Sequence, residues 1–172
     1  MMRVLGIDPG SRITGFGMIN VASDGGLTYV DSGCVRTEGS SQSQRLKTIY
    51  DGISAVITSY VPDVLVVEKV FMAKNADSAL KLGQARGVAI CAGINHELEA
   101  MEYTALQIKR AVVGNGQARK QQVQHMVKVL LGLSGTPQPD AADALACAIC
   151  HAHYAMGRAA VTRGLGRRAR AV

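Results

Sequence analysis

The sequence predicts an α/β domain in which a central, five-stranded mixed sheet is flanked by helices on both faces. Three strand-like runs open the chain, and two more follow, each preceded by a helical pattern. A strand, a helix and a returning strand make a crossover, so parallel pairing is expected beside the antiparallel opening. The 172 residues, 48% of them hydrophobic, are enough to bury the core of one domain.

The first three strands are predicted from short apolar runs with turn residues between them. The run 3–8 stops at Pro9-Gly10, as a buried strand does at a turn. The runs 14–21 and 27–36 are separated by the polar, glycine-rich segment 23–26, which is typical of a hairpin. Short links of this kind predict an antiparallel meander.

A crossover follows the meander. Apolar residues recur at helical spacing over about 41–60, and Pro62 ends that helix. The Val-rich run 63–67 is then expected to be a strand buried on both faces, and it finishes at Glu68.

The next predicted helix, 76–95, is unusually rich in Gly and Ala. Gly83 and Gly87 are four residues apart and share a face. Interior Gly costs about 0.5–1 kcal/mol relative to Ala, so another backbone is expected to approach closely there. That backbone belongs either to the sheet of the same chain, which is the preferred interpretation, or to a partner subunit.

The last part of the chain adds one strand and a set of helices. Residues 98–104 are a strand candidate, 107–113 a candidate short helix, and further helices are expected from about 117 and over about 140–155. The net charge is +6, and five arginines with no acid fall within 158–172. The predicted division is therefore a folded domain over 1–157 and a basic, disordered tail over 158–172, with contact between the tail and a polyanion as the alternative interpretation.

Composition limits the possible locations of the protein. No apolar run approaches the ~18 residues that span a bilayer, and no export signal is recognised, so a cytoplasmic protein is expected. Cys147 to His151 matches the pattern of c-type haem attachment. In an apolar helix these cysteines are better interpreted as small core residues.

Four carboxylates form the candidate site. Asp8 and Glu68 each end a strand, at the rim where α/β proteins commonly place their sites, although either residue taken singly could simply begin a loop. Asp140 and Asp143 lie three apart in the first turn of the last helix, and Ala144 continues their face as an apolar one. Two acids on an inward face repel each other unless a cation compensates.

Oxygen-only ligands of this kind suit hard cations such as Mg²⁺, with Mn²⁺ as a substitute. Three or four carboxylates can hold one ion, or two ions ~3.5–4 Å apart, which activate water and stabilise a leaving oxygen. The residues alone therefore predict a phosphotransfer site in which these four acids are both metal ligands and catalytic groups.

Four segments together resemble the signature of the RuvC Holliday-junction resolvases: Gly6 to Ser11, Val67 to Phe71, the segment 71–87, and Asp140 to Leu145. The resemblance covers roughly residues 3–155. It implies a ribonuclease-H-like fold and a homodimer that binds four-way junction DNA. It also implies Mg²⁺-dependent nicks at symmetric positions in two strands, with 5′-phosphate and 3′-hydroxyl ends, and the branch-migration proteins RuvA and RuvB as partners.

The resemblance also implies roles for single residues. Asp8, Glu68, Asp140 and Asp143 match the metal ligands of that family. Phe71 matches an aromatic residue near the unpaired bases of the junction. Lys109 and Lys120, which would otherwise be interpreted as solvated surface charge, match contacts to the phosphate backbone. Further DNA-binding candidates in the matched segment are Lys74, Lys81 and Arg86.

Two other functions start from the same residues. The segment 8–15 also resembles the first phosphate loop of actin-like ATPases and sugar kinases, but those folds need a second domain and a second phosphate loop. A junction-binding module without catalytic activity is the non-enzymatic alternative. It predicts missing ligands, whereas all four acids are present.

Overall fold

The computed structural model describes residues 1–39, 41–69 and 75–168, with side chains up to residue 157. No helix among these residues is long and apolar enough to cross a membrane. The elements, in chain order, are β1 (Met2–Asp8), β2 (Ile13–Val21), β3 (Leu27–Arg36), α1 (Gln42–Tyr60), β4 (Val64–Lys69), α2 (Ala76–Asn95), β5 (Glu99–Thr104), α3 (Ala105–Val113), α4 (Lys120–Leu130) and α5 (Pro139–Arg168).

The five strands form one sheet in the order β3-β2-β1-β4-β5. The meander is antiparallel, because β2 pairs with both β1 and β3 in that sense. Strand β4 pairs in parallel with β1 on one side and with β5 on the other. The mixed sheet predicted from the crossover is confirmed.

Helices cover both faces of the sheet because side chains alternate along the central strands. Leu5 and Ile7 of β1 point into a core shared with α1 and α2. Val4 points to the opposite face, into a core that includes residues of α3, α4 and α5. Cys147 and Cys150 are fully buried in that second core, so their interpretation as core residues is confirmed.

Three glycines let α5 lie directly on the sheet. A Cβ atom on Gly6 of β1 would come within 2.0 Å of the Ala144 carbonyl oxygen. One on Gly15 of β2 would come within 2.1 Å of the Asp140 carbonyl oxygen, and Gly17 meets the same helix almost as closely. No real Cβ tolerates such distances, so the absence of side chains at these positions determines how closely α5 packs on the sheet.

The glycines of α2 do not have the role preferred from the sequence. No heavy atom of the described chain lies within 4 Å of a Cβ built on Gly83 or Gly87, so the idea that they pack on the chain's own sheet is wrong. The face that α2 turns inward carries Ala85, Ala89 and Gly93 instead. Those residues fall on a different side of the helix from Gly83 and Gly87.

The last helix is longer than expected. Its predicted end was near residue 155, whereas α5 continues to Arg168. The backbone of 158–168 is therefore helical where a disordered tail was expected. Ala and Arg, both good helix formers, are frequent in that stretch and can continue a helix already started in the core. The division into a nuclease domain and a tail stays a prediction.

Candidate active site

The candidate site begins at the edge where β1 and β4 end. The two strands run in parallel with Ile7 beside Val67, so the next residues, Asp8 and Glu68, come out at the same edge. Both acids are partly buried. Parallel neighbours with matched register are what bring together two carboxylates that lie sixty residues apart in the sequence.

Helix α5 brings the other two carboxylates to the same edge. Gly15 pairs with Asp8 across the β1–β2 ladder. The backbone of Asp140 packs directly against the same glycine. Asp143 follows one turn later, between the fully buried Ala142 and Ala144. The expectation that this helix face turns inward is confirmed.

The four acids influence one another electrostatically. Burial, followed by the negative charges of Asp143, Glu68 and Asp140, raises the pKa of Asp8 to about 7. Burial and the charge of Asp143 also raise the pKa of Glu68. Burial is the larger cause of both shifts, and the added effect of the neighbouring acids indicates that the carboxylates lie near each other in a poorly solvated place.

Lys120 partly neutralises the cluster. Its Nζ lies 2.5 Å from Oδ2 of Asp143. Burial alone would lower the pKa of Lys120, but the hydrogen bond and charge of Asp143, with the charges of Asp8 and Asp140, raise it. The pKa of Asp143 is nevertheless also raised, because burial outweighs the effect of Lys120. One ammonium group therefore does not balance the negative charge of this site.

A cavity of about 270 Å³ opens beside the acids. Lys109 and Lys120 line it together with Glu68 and Asp143, and the positive charge of Lys109 lowers the pKa of Glu68 against the effect of burial. Its other walls are apolar, from Ala105, Ile108, Val123 and Ala146.

The position of Lys109 follows from the end of the sheet. Thr104 pairs with Lys69 across β4 and β5, so β5 ends at the same edge as β4. Thr104 also caps α3, by accepting a hydrogen bond from the Gln107 backbone nitrogen. The strand therefore passes directly into a helix, and one turn of α3 brings Lys109 to the cavity.

The donor atoms suit a hard divalent cation, but they do not yet form a finished metal site. Carboxylate oxygen is the ligand type that Mg²⁺ and Mn²⁺ prefer, and the mutual repulsion of the acids is relieved by positive charge. Within the described ranges, no group of three or more His, Cys, Asp or Glu side chains stands arranged to hold a metal ion. The chemistry of the donor set nevertheless fits a hard divalent cation.

The other predicted DNA-binding residues do not all lie near the four acids. Phe71 and Lys74 lie outside the described residues. Lys81 is on α2, where its Nζ lies 2.6 Å from Asp77 in a solvent-exposed pair. Arg86, also on α2, forms an ion pair with Glu102 and donates from Nε to the Glu68 carbonyl oxygen. The structure brings Lys109 and Lys120 to the acids, but it places Arg86 against the end of a strand.

The sequence did not single out two features of this site. Gly15 and Gly17 alternate along one strand, and interior strand glycines do signal a close backbone approach. No sequence pattern indicated a role for Glu102, because an acidic residue in an edge strand is ordinarily exposed to solvent. Its pairing with Arg86 depends on how α2 packs on the sheet.

Most of the chain is similar to one family of proteins. The family described as "Crossover junction endodeoxyribonuclease RuvC" matches residues 4–151. A protein of that name from Aeromonas salmonicida is 60% identical over 153 residues, which cover 89% of this chain and 88% of the relative. Its counterpart from Aromatoleum aromaticum is 55% identical over 168 residues, covering 98% and 90% of the two chains.

A solved structure is similar in fold as well as in sequence. "T. thermophilus RuvC in complex with Holliday junction substrate" superposes with a TM-score of 0.85 at 32% identity, and the match covers 91% of this chain and 96% of that one. The ribonuclease-H-like α/β fold expected from the resemblance is confirmed by this likeness and by the sheet described above.

Proposed function

The chain belongs to the family of RuvC crossover junction endodeoxyribonucleases, and on that basis we propose which of its residues cut a four-way DNA junction and how. The protein is a DNA hydrolase that resolves Holliday junctions in recombination and repair. Family membership decides against the actin-like ATPase and the inactive binding module.

The proposed catalytic centre consists of Asp8, Glu68, Asp140 and Asp143. One observation carries the assignment: these acids come from β1, β4 and α5, yet burial and the charges of the other three together raise the pKa of Asp8 to about 7. A cluster that repels itself inside a folded protein is unfavourable unless a cation compensates. The four oxygen donors would hold one or two divalent cations, Mg²⁺ with Mn²⁺ as a substitute.

The four carboxylates would hold the cation where it would supply Lewis acidity to the scissile phosphate and would favour deprotonation of an attacking water. The chain's own residues bind and orient the DNA. Lys109 and Lys120 present positive charge to the cavity next to Glu68 and Asp143, where a backbone phosphate would lie.

Several finer parts of the proposal come from the family resemblance. They are the symmetric nicks with 5′-phosphate and 3′-hydroxyl ends, cooperation with RuvA and RuvB, a cytoplasmic location, and DNA contacts by Phe71, Lys74 and Lys81.

The direct test is incubation of the protein with a mobile four-way junction and with a linear duplex of matched sequence, with and without Mg²⁺. We expect paired nicks at symmetric positions in the junction, only with the metal, and little cutting of the duplex. Selectivity for the junction depends on its shape and deformability. Equal cutting of both substrates, or metal-independent cutting, would contradict the proposal.

A homodimer gives each of two DNA strands its own active site, because a junction has approximate two-fold symmetry. We propose that the open face of α2 forms the interface. Leu80 and Ile94 are 68% and 59% exposed, and Gly83, Gly87 and the exposed Cys91 lie between them on the same side of the helix. Glycines with no neighbour among the described residues of their own chain allow a second backbone to come close.

Replacing Gly83 with Glu tests this interface. Glu is the better helix former, so the monomer should stay folded, but its charge would be buried between subunits. We expect the dimer dissociation constant, measured by sedimentation equilibrium, to rise by at least about 100-fold. Val129→Glu is the matched control, since Val129 is 56% exposed on α4. An unchanged dimer in Gly83→Glu would place the interface elsewhere.

A further inference from the structure

Arg86 is tied to the main chain of a candidate metal ligand. Its side chain is 25% exposed, and Nε donates a hydrogen bond to the carbonyl oxygen of Glu68 at 3.2 Å. Its Nη2 pairs with Oε1 of Glu102. Nε and Nη2 form one edge of the guanidinium fork, so the same edge connects the end of β4 to β5.

Glu102 completes the connection from the other side. It lies on β5 beside Val67 of β4, and its second carboxylate oxygen is 3.8 Å from Nζ of Lys69. One carboxylate therefore faces two cations, Arg86 and Lys69. With both oxygens directed at positive charges, Glu102 is not arranged as an additional metal ligand.

We propose that Arg86, held by Glu102, is a positioning residue that fixes the end of β4 and so directs the carboxylate of Glu68 toward the metal ion. This inference rests on the proposed function of the four carboxylates. It also replaces the DNA contact expected for Arg86. The Nε–Nη2 edge of the guanidinium is already used inside the protein, so it is not available for a bidentate contact with phosphate.

The arrangement explains what the Arg86 guanidinium contributes at the end of β4. Asp8 and Glu68 end adjacent strands, but Glu68 is followed by only one more residue of β4. A strand end frays unless its polar groups have partners. Hydrogen bonding around a ligand keeps it in one orientation, and loss of such support typically lowers metal affinity or activity by about 10–100-fold.

The experiment compares metal binding and DNA binding in four variants of the full-length protein. Arg86→Met removes both contacts, Arg86→Lys keeps the charge but cannot span both partners, and Glu102→Gln removes the anchor. Arg45→Met is the matched control, because Arg45 also donates from Nε to a backbone carbonyl, that of Gly39, which is not a candidate ligand.

Three quantities are measured for each variant: Mn²⁺ affinity of the DNA-free protein by calorimetry, junction affinity without divalent metal at several salt concentrations, and the Mg²⁺ concentration for half-maximal cleavage. We expect the Mn²⁺ dissociation constant to rise about 10–100-fold in Arg86→Met and in the same direction in Arg86→Lys and Glu102→Gln. Junction affinity and its salt dependence should stay at wild-type values, and Arg45→Met should match the wild type throughout.

The opposite pattern overturns the inference. If Arg86 contacts phosphate, Arg86→Met weakens junction binding and reduces the salt slope by about one, with unchanged Mn²⁺ affinity. Unchanged Mn²⁺ affinity in the folded Arg86→Lys and Glu102→Gln proteins also overturns it, even if Arg86→Met does not fold. Failure of the proposed function has a different signature, because then the wild-type protein itself cuts no junction.

Discussion

An Asp8→Asn substitution is expected to lower the rate of junction cleavage at least about 1,000-fold, equivalent to roughly 4 kcal/mol of transition-state stabilisation. Asp8 is one of the four proposed ligands, and the charges of the other three acids all act on it. The amide has similar size but no charge, so the cation would lose a ligand while the fold is kept. Single-turnover cleavage of a labelled junction measures the effect.

Binding of the junction should be preserved in this variant. Affinity for DNA comes mainly from Lys and Arg on phosphates, and removal of a negative charge does not weaken those contacts. We expect the dissociation constant without metal to stay within about threefold of wild type. Asp51→Asn is the control, since Asp51 is an exposed acid of α1 paired with Lys47. Cleavage by Asp8→Asn at the wild-type rate would contradict the assignment of Asp8 as a metal ligand.

The same variant has a predicted effect on stability. The pKa of Asp8 is about 7 in the folded protein, against an ordinary value of 3.8. Between those values the folded state binds more protons than the unfolded state, so metal-free stability falls as pH rises from about 4 to about 7. The loss from Asp8 is on the order of 4 kcal/mol above pH 7. Asn cannot ionise, so Asp8→Asn should lack this loss.

Urea unfolding with a chelator, at pH 5 and at pH 8, measures this difference. The wild-type protein should lose more stability between the two pH values than Asp8→Asn does. Equal losses would mean that burial and the neighbouring acids do not raise the pKa of Asp8 in the folded protein.

A Gly15→Ala substitution is expected to reduce cleavage by about 100-fold or more and to destabilise the fold by about 1–3 kcal/mol. The new methyl group would lie 2.1 Å from the Asp140 carbonyl oxygen, which is backbone and cannot rotate away. Helix α5 must therefore lift from the sheet at the turn that carries Asp140 and Asp143. A shift of even about 1 Å separates them from Asp8 and Glu68 and is enough to lower activity.

Gly157→Ala is the matched control for this prediction. Gly157 belongs to the same helix, but a Cβ added there would have no atom of the described chain within 4 Å, so Ala should stabilise the helix by about 0.5–1 kcal/mol and leave cleavage unchanged. Thermal unfolding and cleavage rates are measured for both variants. Wild-type activity and stability in Gly15→Ala would show that the close packing of α5 against Gly15 does not position the acids.

Local patterns were enough to predict most of the secondary structure. Short apolar runs bounded by turn residues indicated the strands, and the buried Val-rich run correctly indicated a strand with helices on both faces. The end of α5 was predicted wrongly. The residues that follow the buried part of this helix are compatible with a helix, so the local sequence did not indicate where it ends. The role of Gly83 and Gly87 was also misjudged, since a glycine pair on one helix face signals close approach without saying to what.

The sequence by itself determined the kinds of groups at the site: carboxylates at strand ends, a pair of acids on one helix face, and motif segments that identify the family. Only the tertiary structure decided how these groups meet. The register of β1 with β4 joins Asp8 to Glu68, and Gly15 lets Asp140 approach them. The pairing of Arg86 with Glu102 depends on contacts between α2 and β5. Contacts between distant segments form only when the core is packed, so a local pattern carries no record of them.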